Sequence, residues 1–175
     1  MNVSEKIIAF LEKRGVKHCF TVNGGHSMFL GDALFRSKIK PIFCHNEQAA
    51  GMAAEAYGRL SGLGVVMVTA GPGVINCLNG VVGAWVDSTP MIVLSGANYA
   101  NEVEYLKKNN MRQVGLQGVN TEAIVKSIVK DFHTLQPEDC VGGVDDILQT
   151  MYDIATTDRK GPVWLEVPLN IQNLS

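Results

Sequence analysis

Hydrophobic and polar positions along the chain follow two patterns in alternation. In one pattern, apolar side chains recur every three or four residues, which is typical of an amphipathic helix. In the other, a short run of mostly apolar residues is followed by a turn, which is typical of a buried strand. The predicted helices cover residues 3–14, 28–35, 47–60, 74–86, 120–127 and 137–157. The predicted strands cover residues 18–22, 41–44, 64–69, 90–95, 128–133 and 161–167.

The order of these segments indicates the fold class. The runs GVVMVT at 64–69 and PMIVLS at 90–95 are apolar at nearly every position, so both faces of these strands should be covered. Strands of this kind alternating with helices are typical of a parallel sheet between two helical layers. We therefore expect an α/β fold, a three-layer α/β/α arrangement with a mostly parallel sheet of about six strands. The length of 175 residues fits one domain over 1–175.

Residues 97–119 depart from this alternation. The segment is polar, rich in asparagine, glutamine and glycine, and is the least regular part of the chain. Long irregular segments inside compact domains are often binding or active-site loops. We expect a loop of this type with one or two helical turns.

Composition and charge exclude several classes of partner. Of the residues, 46% are hydrophobic and 18% are charged, and the net charge is −2. Because the basic residues are scattered, neither a nucleic acid nor a membrane surface is an expected partner. No signal peptide or membrane-spanning run is recognisable, which favours a cytoplasmic location. The four cysteines show no metal-ligand spacing, and we expect them to be reduced, mostly buried packing residues.

Three turns carry the candidate chemistry, because ligands of parallel sheets collect at the carboxyl ends of the strands. These turns are Asn23-Gly24-Gly25-His26-Ser27, His45-Asn46-Glu47 and Gly71-Pro72-Gly73. Each follows a predicted strand and leads into a helix, whose free N–H groups favour a polar or anionic ligand. The chain lacks GxGxxG after the first strand and lacks GxxxxGK[ST], which argues against dinucleotide or nucleoside triphosphate binding.

Glu47 has two interpretations at this stage. It begins a predicted helix, where a carboxylate is favoured by the helix dipole. It also follows an apolar strand and is surrounded by apolar residues, as a carboxylate that exchanges a proton with a ligand nitrogen would be. The local pattern leaves both interpretations open.

Three blocks of the sequence resemble a known family. They are CHNEQAAGMAAEAYGRLSG at 44–62, GVVMVTAGPGVINCLNGVVGAWVDSTPMIVLSG at 64–96, and GPVWLEVP at 161–168. In this order they resemble the N-terminal, pyrimidine-binding (Pyr) domain of the acetolactate-synthase-like thiamine-diphosphate enzymes. The resemblance extends over nearly the whole chain.

The resemblance implies a catalytic role for Glu47. In this family the matching glutamate hydrogen-bonds the aminopyrimidine ring of the cofactor and promotes loss of the proton from C2 of its thiazolium ring. The cofactor is thiamine diphosphate, and this chain should hold its pyrimidine end only. Pro72 and Asn76 match positions that line the pyrimidine pocket. Gly24 and Gly25 belong to the first turn, where glycine lets the main chain approach the cofactor.

Two further residues are candidates for contact with substrate. The Asn23–Ser27 turn matches a loop that closes over the neighbouring active site in the family, and His26 could serve there as an acid or base. Histidine is not a fixed feature of this position, and a solvated loop residue is the alternative. The Phe-Gln-Glu loop of the family corresponds to Leu116-Gln117-Gly118. Gln117 matches the glutamine of that loop and is a candidate contact with substrate. The acidic residue is missing, which puts any role of that carboxylate in doubt.

The second half of the family's active site is not recognisable in this sequence. The family binds the diphosphate and Mg²⁺ in another domain marked by Gly-Asp-Gly and a later pair of asparagines, whereas the Gly-Asp at 31–32 lies in a predicted helix. A flavin site is not expected without a middle domain. We therefore expect no metal site here and no activity from the chain alone. The favoured interpretation is a domain excised from a longer enzyme, and the alternative is one subunit of a split enzyme.

The expected function follows from this half-site. The resemblance implies a lyase or transferase that acts on a 2-keto acid by decarboxylation or carboligation, completed by a diphosphate-binding domain of the same or another polypeptide. The alternative is a non-catalytic domain that uses the same fold for assembly. The alanine- and glycine-rich segments 48–60 and 74–86 suit close helix packing, and we expect a dimer or tetramer.

Overall fold

The computed structural model describes the backbone of residues 1–175 and the side-chain surroundings of residues 1–141 and 143–175. Across these residues, six parallel strands form one sheet in the order β2-β1-β3-β4-β6-β5. The strands are β1 (His18–Thr21), β2 (Lys40–Phe43), β3 (Gly64–Val68), β4 (Met91–Ala97), β5 (Asp131–Thr134) and β6 (Pro162–Pro168). The predicted three-layer parallel α/β architecture is confirmed.

The helices lie on both faces of the sheet. Their bounds are α1 (Val3–Lys13), α2 (Met28–Phe35), α3 (Glu47–Ser61), α4 (Pro72–Val86), α5 (Ala100–Lys108), α6 (Thr121–Val125), α7 (Pro137–Gly142), α8 (Val144–Thr156) and α9 (Leu169–Gln172). A short 3₁₀ turn, Gly25–Ser27, precedes α2. Within the described part of the chain, no helix combines the length and the apolar character needed to cross a bilayer.

The two faces of the sheet have separate cores. Alternate residues of β3 point to opposite faces, so Val65 and Met67 pack with α1, α2 and α8, whereas Val66 and Val68 pack with α3 and α4. Trp164 of β6 is buried in the second core, and its indole N–H donates to Ser95 Oγ at 2.8 Å. This pairing of apolar strands with two helical layers is what the uninterrupted apolar runs predicted.

Helices α3 and α4 touch through their main chains. A β-carbon on Gly80 would overlap the main chain of Gly51, and a β-carbon on Gly51 would lie 2.7 Å from the carbonyl oxygen of Cys77. Small residues in segments 48–60 and 74–86 thus serve a contact within the chain. This close crossing places the first turns of α3 and α4 beside each other.

Several predicted boundaries were wrong. The helix predicted over 137–157 is broken at Gly143, whose φ of 135° interrupts the helical path between α7 and α8. The segment 97–119 contains the nine-residue helix α5, which is longer than two turns. β5 begins at 131 instead of 128, and α4 begins at Pro72 instead of 74, since proline suits the first position of a helix. The short α9 was not predicted.

The four cysteines are free thiols, in agreement with the sequence-based expectation. Cys19 and Cys77 are buried, and Cys44 and Cys140 are half-buried. Burial raises the pKa of both Cys19 and Cys77 to about 12.

Candidate functional site

The candidate site lies at the carboxyl ends of β1, β2 and β3, where the three turns singled out above come together. A β-carbon on Gly24 would lie 2.8 Å from Cβ of Thr69, and one on Gly73 would lie 3.0 Å from the methyl group of Thr69. The first and third turns therefore both pack against the same threonine. Glycine at 24 and 73 is what permits these approaches.

Glu47 is the first residue of α3. The preceding Asn46 caps the helix, with its side-chain oxygen accepting from the Ala49 N–H at 2.8 Å. The main chain leaves β2 directly before this cap, because the Cys44 N–H donates to the Thr21 carbonyl at 2.9 Å. The end of β2 and the cap together place the half-buried Glu47 side chain at the edge of the sheet.

The carboxylate of Glu47 is held by α4. Asn76 Nδ2 donates to Glu47 Oε2 at 2.7 Å. A β-carbon on Gly73 would lie 3.5 Å from Oε1, so glycine at this position leaves space beside the other carboxylate oxygen. The Glu47 side chain is therefore directed at the neighbouring helix by a specific amide. A helix-dipole role alone does not require this contact.

Cys77 lies close to this carboxylate but is not a nucleophile. Its pKa is raised to about 12, first by burial and then by the negative charge of Glu47. A thiol with such a pKa stays protonated near neutral pH and is a poor nucleophile. Cys77 is therefore a packing residue beside Glu47.

A groove of about 610 Å³ runs along α4 beside Asn76. Its walls are apolar side chains with a few amides: Gln48, Gly71, Pro72, Ile75, Asn76, Leu78, Asn79, Val82 and Val119. Walls of this composition suit a flat ring that needs a few directed hydrogen bonds. The structure therefore brings Pro72 and Asn76 together in one cavity wall, with Glu47 bonded to the second of them.

Gln117 lies against the third turn. A β-carbon on Gly71 would overlap the carbonyl oxygen of Gln117, and Gly71 has a φ of 58°. Gln117 itself has a φ of 60°, which is uncommon for a residue other than glycine, and its side chain is exposed. The loop of Gln117 therefore packs at the beginning of α4, next to Pro72.

Gly118, which stands where the resemblance places the missing acidic residue, has no room for a side chain. A β-carbon on Gly118 would overlap the carbonyl oxygen of Val114. A glutamate side chain could not leave the main chain at this point unless the loop moved.

His26 is anchored through its main chain. Its carbonyl oxygen accepts from Gln172 Nε2 at 2.6 Å, and a β-carbon on Gly96 would overlap this carbonyl group. The ring is half-exposed, and His26 is not among the described residues that line the groove along α4. Gly25 next to it faces open space. The structure thus places the first turn at the end of β4.

Thr69 is a residue of the site that sequence reasoning missed. Its hydroxyl oxygen is buried and has no hydrogen-bond partner among the described residues. A polar atom in this state is costly unless a ligand or water satisfies it. Its place at the end of β3, two residues before Gly71, is the sequence signal that could have identified it. Gln48 and Val119 in the groove wall were also missed.

Within the described side chains, no group of three histidine, cysteine, aspartate or glutamate residues converges as metal ligands would. The side chains that the site does bring together are one carboxylate, its amide partner and the apolar walls of the groove.

Comparison with known families gives a match over most of the chain. The family described as "Thiamine pyrophosphate enzyme, N-terminal TPP binding domain" matches residues 1–124. Thiamine pyrophosphate (TPP) is another name for thiamine diphosphate. The matched range includes all three turns, Glu47, Asn76 and Gln117.

Several curated proteins are similar to this chain over nearly its whole length. The "Probable acetolactate synthase large subunit" of Methanocaldococcus jannaschii is 33% identical over 175 residues, covering 99% of this chain and 28% of that protein. "Acetolactate synthase isozyme 2 large subunit" of Escherichia coli is 29% identical, covering 98% of this chain and 30% of the relative. "Acetolactate synthase, chloroplastic" of Arabidopsis thaliana is 32% identical, with coverages of 95% and 23%. The chain thus spans less than a third of these relatives.

Proposed function

Because the chain belongs to the thiamine pyrophosphate enzymes and matches their N-terminal TPP binding domain, we propose that it is the pyrimidine-binding half of an active site that acts on 2-keto acids. The relatives named above are acetolactate synthases, so carboligation of a 2-keto acid is the first reaction to test, with simple decarboxylation second. The observation that carries the proposal is the Glu47 carboxylate held by Asn76 beside the groove along α4.

The residues of the site fit the pyrimidine end of the cofactor. An aminopyrimidine is a flat ring with nitrogen donors and acceptors at its edge, and the groove offers apolar walls with amide groups. The space beside Oε1 of Glu47 leaves a polar atom free for such a ring. Pro72 and Asn76 would hold the ring on the α4 side, and Gly24 and Gly25 would line the approach from the first turn.

Glu47 would exchange a proton with a ring nitrogen. When bound, the cofactor supplies a carbon nucleophile and an electron sink, and the protein supplies orientation and proton exchange. Because Asn76 donates a hydrogen bond to Oε2 of Glu47, the ring would face the other oxygen, Oε1. A carboxylate fixed in this way has a single direction in which to take and return a proton, which is a requirement for general acid–base catalysis.

The test is the exchange of the C2 proton of bound thiamine diphosphate, followed by NMR in the holoenzyme. Glu47→Gln keeps the shape but removes the exchangeable carboxylate, and we expect the exchange rate to fall by about 10²–10⁴-fold. Glu104→Gln, at an exposed glutamate of α5, is the matched control and should exchange at the wild-type rate. Unchanged exchange in Glu47→Gln would remove Glu47 from this role.

The diphosphate end and Mg²⁺ would be held by a second domain, on the same or another polypeptide. Mg²⁺ requires several oxygen ligands, and the half-site described above supplies one carboxylate. We propose that the chain alone has no turnover and becomes active only when a diphosphate-binding domain is supplied. Adding such a domain from a relative should restore turnover; activity of the chain by itself would contradict this part of the proposal.

Self-association is the second part of the proposal. Ile75, Val82, Trp85 and Val86 of α4 and Met52 of α3 are exposed, and a contiguous exposed apolar face often marks an interface. Sedimentation velocity should show a dimer or tetramer, and Val82→Asp should shift it toward the monomer. Val141→Asp, at a residue of α7 that is 93% exposed, should leave the distribution unchanged. A monomeric wild-type chain at high concentration would refute this interface.

A further inference from the structure

The loop that carries Gln117 is tied to the sheet by one buried side chain. Asn98 follows β4 directly and is 5% exposed. Its Nδ2 donates to the carbonyl oxygen of Val114 at 2.7 Å, across 16 positions of the chain. A second side-chain hydrogen bond of this loop, from Gln113 Nε2 to the Gly115 carbonyl, is local and exposed. Of these two hydrogen bonds, the one from Asn98 therefore connects the loop to the end of β4.

Two glycines close the loop around this amide. A β-carbon on Gly115 would overlap Asn98 Nδ2, and Gly115 has a φ of 67°. A β-carbon on Gly118 would lie 3.1 Å from the same nitrogen and would overlap the Val114 carbonyl oxygen. The loop can take this path only because both positions lack a side chain.

The arrangement is not explained by stability alone. The Oδ1 atom of Asn98 is buried and has no hydrogen-bond partner among the described residues. A buried polar atom that makes no hydrogen bond weakens a fold. A buried polar atom of this kind requires an explanation, such as a role at a functional site or an ordered water.

We propose that Asn98 is the positioning residue for the Gln117 loop. By holding Val114, it fixes the turn from Val114 to Gly118 and thereby presses Gln117 against Gly71 at the start of α4. Asn98 touches neither cofactor nor substrate and acts only through the loop. The inference rests on the proposed function for the role of Gln117 toward substrate, but the anchoring itself is a property of this chain.

The first experiment measures the loop without cofactor. Trypsin cleavage after the exposed Arg112 and amide hydrogen exchange of residues 113–118 are followed in the chain. Asn98→Ala removes the donor, and Gly118→Ala displaces the acceptor from the other side. Each should raise both rates by about tenfold, as loss of one net hydrogen bond predicts. Asn101→Ala, at an exposed asparagine of α5, is the matched control and should match the wild type.

The second experiment measures kinetics in the holoenzyme. Loss of loop position should raise the KM for the 2-keto acid by about tenfold while kcat and C2-proton exchange stay near wild type, since Glu47 and Asn76 are untouched. Thermal unfolding of each variant identifies those that fold, and Gly118→Ala decides the question if Asn98→Ala does not fold.

Two results would overturn the inference. One is unchanged protection of residues 113–118 in folded variants, and the other is lost protection with an unchanged KM. Failure of the proposed function would be seen differently, as unchanged C2-proton exchange in Glu47→Gln.

Discussion

Asn76 Nδ2 lies 2.7 Å from Glu47 Oε2, and this hydrogen bond joins the second turn of α4 to the first residue of α3. The two residues are 29 positions apart, and the contact depends on the close crossing of the two helices at Gly51 and Gly80. It leaves Oε1 as the oxygen available to a ligand. The proposed catalytic group is thus oriented by a residue that the sequence had suggested only as a cofactor contact.

The first prediction concerns Asn76. Asn76→Ala should slow C2-proton exchange of bound thiamine diphosphate by about tenfold, since a hydrogen bond to a charged group contributes about 1.5–3 kcal/mol and the exposure of Asn76 favours the lower value. Asn79→Ala, one turn further along α4 in the same groove, should have a smaller effect on exchange. Equal effects of the two variants would show that Asn76 does not act through Glu47.

The second prediction compares two glycines of α4. Gly80→Ala should destabilise the chain by about 2–3 kcal/mol, because its methyl group meets the main chain of Gly51, which cannot move aside. At Gly83 the nearest atom to an added β-carbon is Glu55 Cγ at 3.6 Å, an ordinary contact. Gly83→Ala should therefore stabilise by up to about 1 kcal/mol through helix propensity.

Urea unfolding of both glycine variants measures these changes. Similar free energies of unfolding for Gly80→Ala and the wild type would mean that the two helices are not in main-chain contact.

The third prediction concerns the pH dependence of stability through Glu166. This residue of β6 is 2% exposed, and burial raises its pKa above the usual 4.5, although hydrogen bonds from Thr121 and Thr134 and the charge of Lys107 act against the rise. The folded state therefore holds this proton more tightly than the unfolded state does. Its contribution to stability is complete below pH 4.5 and is lost as the pH rises through the folded pKa.

Glu166→Gln removes this titration. Urea unfolding between about pH 4 and pH 8 should show wild-type stability falling relative to Glu166→Gln as the pH rises. Glu138→Gln, at an exposed glutamate of α7, should run parallel to the wild type. A constant difference between Glu166→Gln and the wild type across this range would contradict the raised pKa.

The fourth prediction concerns thiol reactivity. With a pKa of about 12, Cys19 and Cys77 carry roughly 10⁻⁴ of their thiol as thiolate at pH 8, and both are buried. An aromatic disulfide reagent should titrate Cys44 and Cys140 in the native chain and all four cysteines after denaturation. Rapid reaction of four thiols in the folded chain would refute the burial of the other two.

The site was predictable from the sequence where it depends on local pattern. Glu47 follows a short strand and an asparagine cap, and Gly71-Pro72-Gly73 follows an apolar strand, so both turns could be placed at the same edge of a parallel sheet. The strand before Glu47 was wrongly expected to be buried: β2 is the edge strand of the sheet, and Phe43 at its end is 66% exposed. The irregular segment 97–119 was less predictable. Its helix α5 has the periodicity of a short surface helix, and its loop is held by Asn98, whose partner is 16 residues away.

The sequence by itself determined the α/β class, the succession of helices and strands along the chain, and the turn that presents Glu47. These features depend on the burial of strands and the capping of helices, which act within a few residues. Only the tertiary structure decided which amide holds Glu47, that Gly118 has no room for a side chain, and that the Thr69 hydroxyl has no partner among the described residues. Each of these depends on how two distant segments cross, and their distances are set by packing of the whole core. No local pattern of hydrophobic and polar residues records such a distance.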